Sequence, residues 1–179
     1  MIRRKNLNHY TLHEDKKTWT YEGPLYHLQL SPRELKTFAH KLLFGWLGMV
    51  IAFLVAGLIP GRQNSTLVVA LPYVLLILPL ALTPLKLRHL ARGDTTLTLD
   101  RHHYRVQAPK FWATFGFICS VATLLGYLWM QLIQQWRLSY AAQACIGVYA
   151  ILAFESLRLW NKLKITTSEG TYQGNLNED

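Results

Sequence analysis

Two adjacent histidines, His102 and His103, stand in the stretch RHHYRVQAPK at the foot of a long apolar run. Imidazole ligates metals and is the side chain whose charge changes near neutral pH. Asp94, Asp100, His27 and His89 are the candidate further ligands. The spacing argues against such a site. Neighbouring residues on a strand point to opposite faces, and in a turn they diverge, so the pair does not offer two ligands to one ion. No H-E-x-x-H or C-x-x-C spacing occurs in the chain. The expectation is a wet turn facing lipid headgroups, with no metal and no cofactor.

Other chemistries fare no better. The chain has no glycine-rich phosphate loop and no G-x-S-x-G elbow, so no catalytic residue is expected. Glu155 is the one acid set in an apolar stretch, and Arg158 three residues on is its natural interfacial partner. Proton-driven transport leaves ionisable groups deep in the membrane, whereas the buried polar residues here are Thr114, Ser120, Thr123, Gln131 and Gln143, read as interhelical hydrogen-bonding groups. Cys119 and Cys145 fall at different depths of neighbouring segments and read as small packing residues. Asn64-Ser65-Thr66 is a glycosylation sequon in a turn hard against the bilayer, expected to stay unmodified.

The elements that would position these residues are membrane spans. Of 179 residues, 51% are hydrophobic and 16% charged, below the roughly 25% charged usual in soluble domains. No charge occurs from Leu42 to Ile59, Leu67 to Leu85 or Phe111 to Ile133. Runs of about 18 or more are long enough to cross the hydrocarbon core as helices. Residues 139–159 make a fourth if Glu155 and Arg158 lie at its end, because long Arg side chains snorkel. The fold class expected is an all-α membrane protein with four transmembrane helices in two hairpins, at about 42–59, 67–85, 111–133 and 139–159. The basic start runs into Asn6-Leu7-Asn8-His9 rather than an apolar stretch, so no signal peptide is expected.

Basic residues set the threading. All of the 19 Lys and Arg except Arg62 and Arg137 fall before the first span, between the second and third, or after the fourth. The positive-inside rule then puts both termini and the central loop in the cytoplasm, across the cell membrane. The net charge of +9 is answered by anionic headgroups, with no nucleic acid needed. Arg88, Arg92, Arg101, Arg105, Lys110, Arg158 and Trp160 are the expected headgroup or interface contacts. Gly48, Ala52 and Ala56 form a small-residue stripe for close helix packing.

Between the spans the pattern changes to short strands. Residues 1–16 read as a flexible cytosolic start and 17–31 as a β-hairpin turning at Glu22-Gly23-Pro24. Residues 86–110 read as a basic loop holding a second hairpin, with strands at 95–99 and 104–108. Residues 161–179 read as a strand and a loose tail. Tyr26-His27-Leu28-Gln29 and Tyr104-Arg105-Val106-Gln107 precede the first and third spans about 77 residues apart, which suggests a parallel duplication. Ser31-Pro32-Arg33-Glu34 fits a capping box opening the first span helix. Pro72, Pro79 and Pro84 are expected to kink the second. The function these features point to is a non-catalytic accessory, scaffold or assembly subunit, partnered by other membrane proteins or by itself. An oligomeric transporter or channel is the second expectation, and a membrane enzyme using the cytosolic histidines the third.

Overall fold

The computed structural model describes residues 10–12, 18–59, 66–91, 94–133 and 140–175. It joins a helical bundle to a small sheet at one end. The elements are β1 (Tyr10–Leu12), β2 (Thr18–Leu28), α1 (Pro32–Leu58), α2 (Leu67–Leu75), α3 (Ile77–Leu90), β3 (Thr96–Leu97), α4 (Leu99–His102), α5 (Ala108–Ile133), α6 (Tyr140–Lys162) and β4 (Ile165–Asn175). A π-helical turn, His103–Gln107, joins α4 to α5.

Four helical stretches are long and apolar enough to cross a membrane: Pro32–Leu58, Leu67–Arg88, Leu99–Leu132 and Tyr140–Lys162. They form a ring in which α1 packs on α3 and α6, and α5 packs on α2, α3 and α6. The outward faces carry Phe44, Ile51, Leu71, Ile118, Leu125 and Ile151, all exposed. A water-soluble monomer rarely exposes so much contiguous apolar surface. The interior uses smaller or amphipathic groups, among them Ala52, Ala56, Ala142, Ala153, Tyr127 and Tyr149.

α1 begins as its sequence demands. Ser31 is the N-cap, Pro32 needs no N–H in the first turn, and Ser31 and Glu34 cap each other's backbone N–H groups. The stripe then allows close approach. A Cβ at Gly48 would come within 2.8 Å of Leu152 on α6, so only a bare Cα fits there without a shift. Ala52 and Ala56 continue that line and are buried.

The prolines in the second span each free a carbonyl four residues earlier. The helix breaks at Leu76 into α2 and α3. The carbonyl of Leu80, left without the N–H that Pro84 lacks, accepts instead from the Trp46 indole at 2.9 Å. The carbonyl of Val68, freed by Pro72, sits 3.0 Å from where a Gly126 Cβ would be, so α5 approaches through glycine. Tyr73 returns a bond the other way, donating to Phe53 O at 2.6 Å.

Three of the five polar residues expected to bond between helices, Thr114, Ser120 and Thr123, bond within their own helix instead, and Ser156 does the same. Each donates to a carbonyl three or four residues back. A short hydroxyl reaches its own helix more easily than the next one.

The sheet corrects two expectations. Residues 18–28 are one strand, with no turn at Glu22-Gly23-Pro24, and β4 pairs antiparallel with all of it, Thr18 opposite Asn175 through Leu28 opposite Ile165. On its other edge β2 takes β1 at residues 19–21 and β3 at residues 26–27. Leu28 N–H donates toward β3 and Gln29 N–H toward β4. By alternation Pro24 would direct its N–H to the β1/β3 side, in the gap between those strands. A proline costs no ladder bond there. Glycine is needed at position 23 because the Tyr21 phenol lies over it, its Oη 2.7 Å from where a Cβ would stand.

The second hairpin does not form. Residues 99–108 are helical and run straight into α5. Thr98, His102, Arg105, Val106, Pro109 and Ala113 are buried at three- and four-residue spacings, which is the period of a helix face. Pro109 is accommodated because the preceding turn is widened, with Ala108 N–H on His103 O in π-register. The Tyr26 and Tyr104 segments are therefore strand and helix, and the repeat between them does not extend to structure.

Candidate functional site

The polar chemistry gathers where the sheet meets the bundle. β2 crosses the start of the α4–α5 rod, and two opposed faces of the strand are used. On one, Tyr21 and Leu25 pack with Leu99. Burial pushes the Tyr21 phenol above its ordinary value, and a hydrogen bond with the Leu99 backbone works against that shift. On the other, Leu28 joins Leu35, Leu87, Leu97, Val106 and Trp160 in an apolar seal over the bundle end.

His102 lies in this junction, 6% exposed. Its ring stacks on Tyr26 with centroids 4.1 Å apart and planes 4° from parallel. Its Nδ1 has no hydrogen-bond partner among the described residues. His103, one helical step round, is exposed and bonded to Gln107 Oε1 at 2.7 Å. The divergence expected of the pair is present, but the headgroup-facing turn is not, since a helix buries one ring and exposes the other. His27 ties three strands together, with Nδ1 3.2 Å from Thr96 Oγ1 and Nε2 2.7 Å from Ser168 Oγ.

Arg105 is corrected from headgroup contact to internal tether. It is 5% exposed, and its guanidinium pairs with Asp94 just ahead of β3. Asp94 is thus spoken for and is not a spare oxygen ligand. Trp160 is corrected likewise, because α6 turns its ring inward onto the sheet seal, edge-on to Phe38 at 5.4 Å. Arg88, Lys110 and Arg158 are exposed, and Arg158 stands 3.5 Å from Glu155. Arg101 is half-buried, and Arg92 lies outside the described residues, as do Asn64 and Ser65 of the sequon.

Among the described residues no three His, Cys, Asp or Glu side chains come together as a metal site. One histidine spacing escaped the reading of the sequence: His9 and His13 stand four apart, and both lie outside the described residues. Cys119 and Cys145 are free thiols. Within the bundle, Trp46, Thr83, Trp112, Tyr149 and Ser156 surround a cavity of about 20 Å³. That is room for about one water, not for a substrate.

What the sequence concealed was the tether and the ring stack. Asp94 and Arg105 are eleven positions apart across a strand and a turn, a separation no periodicity marks. The chain matches no family model, no curated protein and no solved structure.

Proposed function

We propose that this chain is a non-catalytic multi-pass subunit of a membrane complex, with its sheet, both termini and central loop on the cytosolic face of the cell membrane. The distribution of Lys and Arg supports that orientation. The observation that carries the assembly role is the outer edge of β4. Eleven residues pair with β2 on one side, and the other side pairs with no strand among the described residues. Glu169 is the strand's single charge, and it contains no Lys, Arg or Pro. Soluble proteins blunt such edges because they template pairing with another chain. Here the edge is long enough to accept a partner's strand, with main-chain bonds supplying affinity.

The register supplies the test. Even-numbered residues of β4 turn their backbone groups to β2, and Thr167, Glu169 and Thr171 turn theirs outward. Thr167→Pro removes an outward N–H without breaking the β2 ladder. Proteins that co-purify with the wild type in mild detergent should be lost from this variant while thermal stability is kept. Retention of every co-purifying protein would refute edge pairing.

A further inference from the structure

We infer that the cleft between α1 and α3 at the sheet end of the bundle is a binding site for one anionic phospholipid. An acyl chain would lie in the cleft, with the phosphate held by Arg88. Ala39 and Leu43 of α1 face Pro84, Leu85 and Leu87 of α3 across a space of about 400 Å³. Such a volume is in the range of small-molecule sites. The cleft exists because its walls are short: Ala39 offers only a methyl, and Pro84 turns a ring where a longer side chain would fill the gap. Leu43 and Leu85 are exposed along it, so the slot opens sideways to whatever surrounds the bundle.

Its mouth has one sign of charge. Arg88 and His40 line it, and Lys36 follows one turn nearer the sheet on α1. All three are exposed, and none forms an ion pair among the described residues. Glu34, the one acid in α1, is bound to Ser31 in the capping box, and α3 has none, so no acid lines the cleft to repel an anion. Arg88 stands just past the uncharged run that ends at Leu85. An apolar slot that ends in cations at that level matches a lipid whose headgroup carries phosphate and whose tails do not. A free phosphate would leave the slot unused, and a zwitterionic lipid would bring its own cation to the mouth.

The site rests on the four helices crossing a bilayer. Native mass spectrometry of the full chain in mild detergent, titrated with long-chain phosphatidylglycerol or phosphatidylcholine, tests it directly. One phosphatidylglycerol should stay bound in preference to phosphatidylcholine. Arg88→Gln should weaken it about fivefold, the worth of one basic residue at an anionic surface. Leu43→Trp, at an exposed position, should block it by filling the slot. Glycerophosphoglycerol, the same headgroup without tails, should fail to compete. Equal retention of the two lipids, or no effect of either substitution, overturns the lipid site. Competition by the tail-less headgroup replaces it with a plain anion site and also overturns it. A chain that fractionates with membranes but fails these tests loses the lipid site alone. A chain that does not enter membranes loses both readings.

Discussion

Removing Asp94 should cost far more than removing Arg105, although the two form one ion pair. The Arg105 side chain is 6% exposed and that of Asp94 is 41% exposed. Asp94→Ala strands a guanidinium in the junction between sheet and bundle. Deleting one member of a buried pair costs roughly 3–5 kcal/mol, and partial access of water on the Asp94 side puts this case at about 3 kcal/mol. Arg105→Met keeps an apolar stem of similar length and leaves a carboxylate that water can reach. Its loss should be about 1 kcal/mol or less, as for an exposed pair. The double variant should then be more stable than Asp94→Ala alone by about 2 kcal/mol, because the uncompensated charge is gone. Hydrogen exchange by mass spectrometry over residues 94–107, in the same detergent for all variants, reads this locally. Asp94→Ala should speed exchange there about 100-fold, and the double variant should recover most of it. Equal acceleration by both single changes would refute the argument, since it would mean that Arg105 is as well hydrated as Asp94.

Three further outcomes are expected. Trp46→Phe leaves Leu80 O without a donor inside the bundle and should lower stability by about 1–3 kcal/mol in thermal unfolding, whereas Trp129→Phe, at an exposed position, should not. His102→Phe keeps the stack on Tyr26 and removes an unpartnered nitrogen, so it should be neutral or stabilising, while His102→Ala should lose roughly 2 kcal/mol or more. Ser31→Ala should weaken the first turn of α1 by about 1 kcal/mol, seen as faster exchange at residues 33–36 with the rest of α1 unchanged.

The spans were legible because uncharged length is a direct consequence of the bilayer's thickness, and Ser31 to Glu34 because a capping box is complete within four residues. The region 99–108 was not. Its helical face is written with His102 and Arg105, residue types that do not register as apolar, so the short alternation Tyr104-Arg105-Val106 looked like a strand. Arg105 and Trp160 were misplaced for a related reason. An Arg or Trp near a span's end usually faces lipid headgroups, and only the fold reveals an Asp94 or a sheet seal waiting inside. The missing turn at Gly23-Pro24 was hidden too, since proline's harmlessness there depends on a gap between two other strands.

The long β2 strand also dictates a timetable. It leaves the ribosome before any of the four apolar helices, yet β4, its partner along its full length, follows all four. At about 5–20 residues per second, synthesis keeps β2 waiting on the order of ten seconds. During that interval the edge of β2 that faces β4 has no strand to pair with, while the four apolar helices are being made. Closure of the sheet therefore waits until all four apolar helices have been made. A chain cut short after α6 would keep the four helices long and apolar enough to cross a membrane and still display β2 without the strand that pairs along its full length.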